Sequence, residues 1–124
     1  MKLLNDLFVV LENSVSEVGF ITTIELNAGH IVYSGHFPGH PVTPAVIQMQ
    51  IVYELLEKHF CKNLKLITVS QCKFLKILNP RETPRIVIYI ELNRVDEFLN
   101  IKARGENETD IFFKMNAGYK FCSI

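Results

Sequence analysis

Apolar and polar residues alternate along much of this chain with the two-residue period of half-buried strands. From Phe20 to Leu26 the alternation sets Phe20, Thr22, Ile24 and Leu26 on one face. The run RIVIYIELN, Arg85 to Asn93, does the same with Ile86, Ile88, Ile90 and Leu92. The final segment is the cleanest. Ile111, Phe113, Met115, Ala117, Tyr119 and Phe121 face one way, and Lys114, Asn116 and Lys120 the other, as in an antiparallel strand with one wet face. Leu7–Ser14, Leu64–Leu78 and Phe98–Ala103 are further β-rich stretches. Short polar links at Asn93–Asp96 and Gly105–Thr109 predict hairpin turns.

One stretch alone is convincingly helical, Pro44 to about Phe60. Thr43 is the expected N-cap, with Pro44 at the first helical position, where a missing N–H costs nothing. Ala45, Val46, Ile47, Met49, Ile51, Val52, Leu55 and Leu56 wrap most of the helix surface. A helix that apolar belongs inside rather than on a surface. The predicted architecture is therefore α+β: one antiparallel sheet curled around a central helix. A chain of 124 residues suits a single domain, since domains commonly run to about 100–150 residues, and no repeat or linker divides residues 1–124.

Charge narrows the function. Thirteen basic and thirteen acidic residues cancel, which argues against nucleic acid, whose phosphates need a clustered cationic face. No apolar run reaches the roughly 18 residues that span a bilayer. The N-terminal MKLLNDLFVVLENS is interrupted by Asn5, Asp6 and Glu12, unlike a signal peptide, so a cytoplasmic location is expected. Cys61, Cys72 and Cys122 are odd in number and lack metal-ligand spacing; we expect reduced, structural thiols.

Between strand and helix lies Gly35-His36-Phe37-Pro38-Gly39-His40-Pro41-Val42-Thr43-Pro44-Ala45-Val46. Three prolines at three-residue spacing forbid helix and central strand and stiffen the loop. Gly35 and Gly39 permit backbone angles or close approaches closed to other residues. A rigid loop feeding a helix N-terminus holds a side chain beside outward-pointing N–H groups that favour negative charge.

GHFPGHPVTPAVIQMQ resembles GHFPGxPVxPGVLxxE, the signature of the β-hydroxyacyl-carrier-protein dehydratases. IVYSGHFPG is similar to that family's apolar lead-in, and KFLKILNPRE to its later KFxxPVxPGD. The resemblance implies a hotdog fold, a strongly bent sheet around a long helix, acting as a homodimer with an acyl tunnel between subunits. It implies no metal or organic cofactor, and as partner an acyl carrier protein bearing a phosphopantetheine-linked substrate. His36 matches the histidine that abstracts the α-proton, and Ala45 the position whose N–H binds the thioester oxygen. Val42 falls where a carbonyl orients the imidazole, and Phe37 and Gly39 complete the substrate-binding loop. Gln50 stands where the family has a carboxylate, supplied by the other subunit, that handles the leaving hydroxyl.

Imidazole titrates near neutrality and can take and return a proton in one turnover, and a helix-terminal N–H serves a developing oxyanion whatever its side chain. Gln50 can hydrogen-bond but cannot donate a proton at neutral pH. Glu54, one turn on and about 6 Å along the axis on the same face, is either a displaced acid or a surface charge, the latter being the expected reading. Two further functions stay open: a non-catalytic acyl-binding hotdog accessory protein, and a hotdog thioesterase, which would want a carboxylate where Gln50 stands. His40 is expected in solvent, His30 and His59 without partners, Tyr33 in packing, and Phe37 in the core or on a tunnel wall. Lys73, Lys76 and Arg81 are a candidate carrier-docking surface. The family's segment resembling HRYPFLLVD, ahead of the first strand, has no counterpart here, which suggests a more open tunnel mouth.

Overall fold

The structure, a computed structural model, describes residues 2–122. Six strands form one antiparallel sheet: β1 (Phe8–Val15), β2 (Gly19–Leu26), β3 (Leu64–Phe74), β4 (Arg85–Val95), β5 (Phe98–Glu106) and β6 (Ile111–Phe121). Their spatial order is β1-β2-β4-β5-β6-β3. β2 and β3 thus lie in opposite halves of the sheet, and the chain passes between them through a helical turn α1 (Val32–Gly35), a loop, and the long helix α2 (Ala45–Phe60). This is the hotdog arrangement the motif implied.

The alternation sets the sheet's inner face. Phe20, Thr22, Ile24 and Leu26 are all buried, as are Ile86, Ile88 and Ile90. On β6 the same face holds Phe113, Met115, Ala117, Tyr119 and Phe121, while Ile111 at its start is exposed. Against them α2 turns Ile47, Ile51, Val52, Leu55 and Leu56, and the whole set forms one buried cluster.

Several expectations change. α2 is not buried all round: Ala45 and Val46 are exposed, and Met49, Gln50, Tyr53 and Glu57 are half-buried, because the sheet covers only one side of the helix. Pro44, not Thr43, is the N-cap, and no side chain caps the helix. The Thr43 hydroxyl is taken instead by the Tyr33 hydroxyl at 2.9 Å. The strand expected through Leu78 ends at Phe74, and β5 runs on to Glu106. The turn α1, absent from the periodicity, forms just ahead of the proline-rich loop.

Candidate active site

The loop after α1 is held by its own backbone. Phe37 and His40 exchange two N–H···O bonds of 2.8 Å, closing a turn with Pro38 and Gly39 at its corners. Gly39 lies at φ +79°, the left-handed position that a Pro-Gly turn needs at its second corner. His36 is fastened on both sides: its N–H donates to the Tyr33 carbonyl at 3.3 Å, and its own carbonyl accepts from the Val42 N–H at 2.6 Å. The backbone is fixed and the imidazole exposed. The bond seen between His36 and Val42 is thus backbone to backbone, rather than the expected carbonyl-to-ring contact. Phe37 is 56% exposed and tilts against the His36 ring at 5.3 Å, so in the single chain it is not core. His40 is exposed, as expected.

Beyond the loop, Val42, Thr43, Pro44, Ala45 and Gln48 face the segment Phe74–Leu78 across a hollow of about 320 Å³. Ala45, the first residue of α2, is exposed there, and its N–H belongs to the first turn, where no intrahelical carbonyl is in reach. A buried polar chain braces this corner. The Thr43 N–H donates to the Leu78 carbonyl at 2.8 Å, and the Gln48 side-chain NH2 donates to the Thr43 carbonyl at 2.9 Å. Burial pushes the Tyr33 phenol up, partly offset by its bond to Thr43, so it stays a neutral hydrogen-bonding group. The signal for this brace was a polar residue, Gln48, in phase with Ile51, Val52 and Leu55 on the apolar side of the helix.

Gln50 opens elsewhere, into a groove of about 930 Å³ lined by Leu4, Gln50, Tyr53, Glu54, Arg94 and Phe121 among others, and by none of residues 35–42. The single chain therefore does not bring Gln50 into the hollow at the start of α2. Glu54 is not a surface charge. It is 7% exposed; its Oε1 accepts the N–H groups of Leu3 and Leu4, both at 2.8 Å, and its Oε2 accepts from Leu3 at 2.9 Å and from the Gln50 amide at 2.9 Å. It clamps the N-terminal backbone onto α2.

Two other histidines have partners after all. His30 Nε2 meets Asp6 at 2.9 Å while its Nδ1 accepts the Val32 N–H at 3.0 Å. His59 stacks on Phe20 with ring centroids 4.4 Å apart. Of the three proposed docking cations, Lys76 is tied to Asp110 at 2.8 Å. All three cysteines are free thiols. Among the described residues, no three His, Cys, Asp or Glu side chains are arranged to hold a metal ion, and no helix is long and apolar enough to cross a membrane.

A six-stranded antiparallel sheet packed on one long helix, with a proline-braced loop carrying an exposed histidine ahead of that helix, fits a protein of the hotdog dehydratase class. The chain belongs to the ApeI-like family of ApeI dehydratases, which it matches over residues 12–114. Among solved structures it is similar to the dehydratase heterocomplex ApeI:P from Xenorhabdus doucetiae, at 15% identity over 92% of this chain and 96% of that one, with a TM-score of 0.65. An uncharacterised protein from Erwinia carotovora subsp. atroseptica is similar at 17% identity over 95% and 98%, also with a TM-score of 0.65. These likenesses establish the shared fold. No curated protein matches the sequence.

Proposed function

We propose that the protein removes water from a β-hydroxyacyl thioester carried on the phosphopantetheine arm of an acyl carrier protein, yielding the trans-2-enoyl thioester in fatty acid or related lipid or polyketide synthesis. The observation that carries this reading is the exposed imidazole of His36 on a loop fixed at both its N–H and carbonyl, leading within nine residues to the exposed start of α2. His36 takes the α-proton, and the electron pair moves onto the thioester oxygen, which the Ala45 N–H stabilises. The enolate collapses to form the α,β double bond and expels the β-hydroxyl, which leaves as water with the proton that His36 returns. Gln50 of a second copy holds that hydroxyl or a water. This fits the separation of Gln50 from the His36 loop within one chain, because a dimer provides a second helix.

The experiment is mass spectrometry of β-hydroxyacyl-carrier proteins of several chain lengths after incubation with the pure protein. A loss of one water is expected from at least one of them. His36→Ala should abolish it while leaving circular dichroism and oligomeric state unchanged. A variant that dehydrates at near wild-type rate removes His36 as the base.

A second reading is favoured by one observation: position 50 is an amide and the nearest carboxylate, Glu54, already carries four hydrogen bonds. On that reading the chain is an acyl-binding subunit working beside a different, carboxylate-bearing chain, as the heterocomplex state of the Xenorhabdus dehydratase suggests. The pure protein would then leave every substrate intact, and a Gln50→Glu variant would gain the activity.

A further inference from the structure

We propose that an acidic face of the carrier protein docks on the outer surface of the sheet, across a row formed by Lys73, Lys114 and Arg104. This surface presupposes the carrier-thioester reading above and locates the partner which that reading requires.

The register of the strands puts three cations in line. Lys73 of β3 lies directly opposite Lys114 of β6, which lies directly opposite Arg104 of β5. Residues paired in this way share a face of the sheet, and all three are exposed. Met115 and Ala103, next to them in the strands, are buried on the other face. Arg104 is answered in part, by Glu106 at 3.0 Å and by the Tyr89 ring at 4.0 Å. Lys73 and Lys114 have no ion pair among the described residues. Like charges directly opposite one another destabilise a sheet, so folding gives no reason for the row. Nor does the row follow from the chain's overall charge. β3, β5 and β6 carry Lys65, Lys73, Lys102, Arg104, Lys114 and Lys120 against one acid, Glu106, in a chain whose basic and acidic residues cancel.

Size and position choose the occupant. Adjacent strands lie about 4.8 Å apart, so the row is about 10 Å wide. It is bounded by Glu106 beside Arg104 and by Glu91 opposite Lys102. A patch that small, on a chain of zero net charge, suits one acidic helix face rather than the long phosphate track of a nucleic acid. The row also sits at the useful end of the strand. Lys73 precedes Phe74, where β3 ends and where the wall of the hollow at the start of α2 begins, Phe74 to Leu78. A carrier seated on the row can pass its flexible arm round the end of β3 into that hollow. Pairing of β3 along its edge would occupy backbone groups and leave this outer face open.

Lys114→Glu, in the middle of the row, separates docking from folding. Relieving the like-charge opposition should raise the urea midpoint, while affinity for the carrier should fall about tenfold or more. The probe is the octanoyl form of an acyl carrier protein from a dissociated fatty acid synthase, which lacks the hydroxyl and cannot be dehydrated. Calorimetry at about 0.05 M and about 0.3 M salt should show wild-type binding weakened by screening, and binding by the variant changed less. In turnover, the variant should raise KM for the β-hydroxyoctanoyl carrier about tenfold and spare the N-acetylcysteamine thioester. Lys114→Gln should act in the same direction more weakly, and it serves if the reversal does not fold. Undiminished carrier binding by both variants, or equal losses on carrier and small thioester, overturns the docking row while leaving dehydration standing. A lowered urea midpoint together with lost binding makes Lys114 structural and overturns it too. Carrier binding that the variant loses, without turnover of any hydroxyacyl substrate by wild type, supports the row and rejects the dehydration reading. A single-stranded oligonucleotide that wild type binds more tightly than the carrier, and that Lys114→Glu releases, would make the row a nucleic-acid contact instead. No binding of the carrier to wild type at low salt overturns the proposal outright.

Discussion

Position 50 shows how a single side chain is set by its neighbour. The Gln50 amide donates to Glu54 Oε2 at 2.9 Å, so Gln50→Glu would place a second carboxyl within hydrogen-bond reach of a buried carboxylate. Two carboxyls that close cannot both ionise readily, and the shared site raises one of their pKa values. The substitution therefore favours a proton shared between the two carboxyls, which is what a general acid needs. We expect turnover to rise tenfold or more, within the roughly 10²–10⁴ that acid–base groups contribute. An unchanged rate would show that the hydroxyl departs without help from this helix position. Glu54 has a different duty. Glu54→Ala leaves the N–H groups of Leu3 and Leu4 without their acceptor and should cost about 2–3 kcal/mol in urea unfolding. It should spare the kcat of the protein that remains folded. Collapse of kcat at undiminished stability would make Glu54 the displaced acid instead.

Among the elements, the strands were legible because a sheet with one buried face enforces a period of two, and β2, β4 and β6 keep it. The order of the strands was not, since it depends on pairings between residues far apart in sequence. The N-cap at Thr43 was misread because the group that captures its hydroxyl, Tyr33, lies ten residues upstream. The His36 loop was legible from its prolines, whereas the brace behind it, which needs Leu78 and Gln48, was not. Gly19 carries no signal in the alternation either. A Cβ there would meet the Ile90 carbonyl oxygen of β4 at 1.9 Å, and backbone cannot yield cheaply. Gly19→Ala should destabilise by about 2–3 kcal/mol, read as a lower urea midpoint; an unshifted midpoint would mean that β2 and β4 can separate there. At the far end of α2, His59 stacks on Phe20 of β2, and burial lowers its pKa. The unfolded chain then takes up this proton near the ordinary imidazole value of about 6.5, while the folded one takes it up only at lower pH. Stability is thus lost as pH falls below about 6.5. In His59→Phe that share of the loss should vanish, so the difference from wild type should widen between pH 7 and pH 5; a constant difference would deny the linkage.

At the scale of the whole molecule the two edges of the sheet are unlike each other. β1 is eight residues long, is broken by a register shift between Val10 and Glu12, and mixes its exposed Leu11 with Glu12, Asn13 and Ser14. Polar and charged positions of that kind blunt an edge against pairing. β3 is eleven residues long; it too has register shifts, between Leu66 and Thr68 and between Val69 and Gln71, but it exposes Leu66, Ile67, Val69 and Phe74, followed by Leu75 and Ile77. An edge with that much exposed apolar surface invites a partner. A second copy is the occupant we expect, giving light scattering at twice the chain's 14.3 kDa. Lysine at both Ile67 and Val69 should dissociate it, because inserted charge is the device by which natural edges stay single. The consequence for chemistry follows from the two hollows. Gln50 lines the groove beside Glu54 and Arg94, and the hollow at the start of α2 does not include it, so on the proposed mechanism a monomer has the His36 loop without Gln50. The doubly substituted protein should remain folded yet lose dehydration, although both changes lie on β3 rather than on the His36 loop or α2. A wild type that is monomeric at micromolar concentration and fully active would show instead that one chain completes its own site.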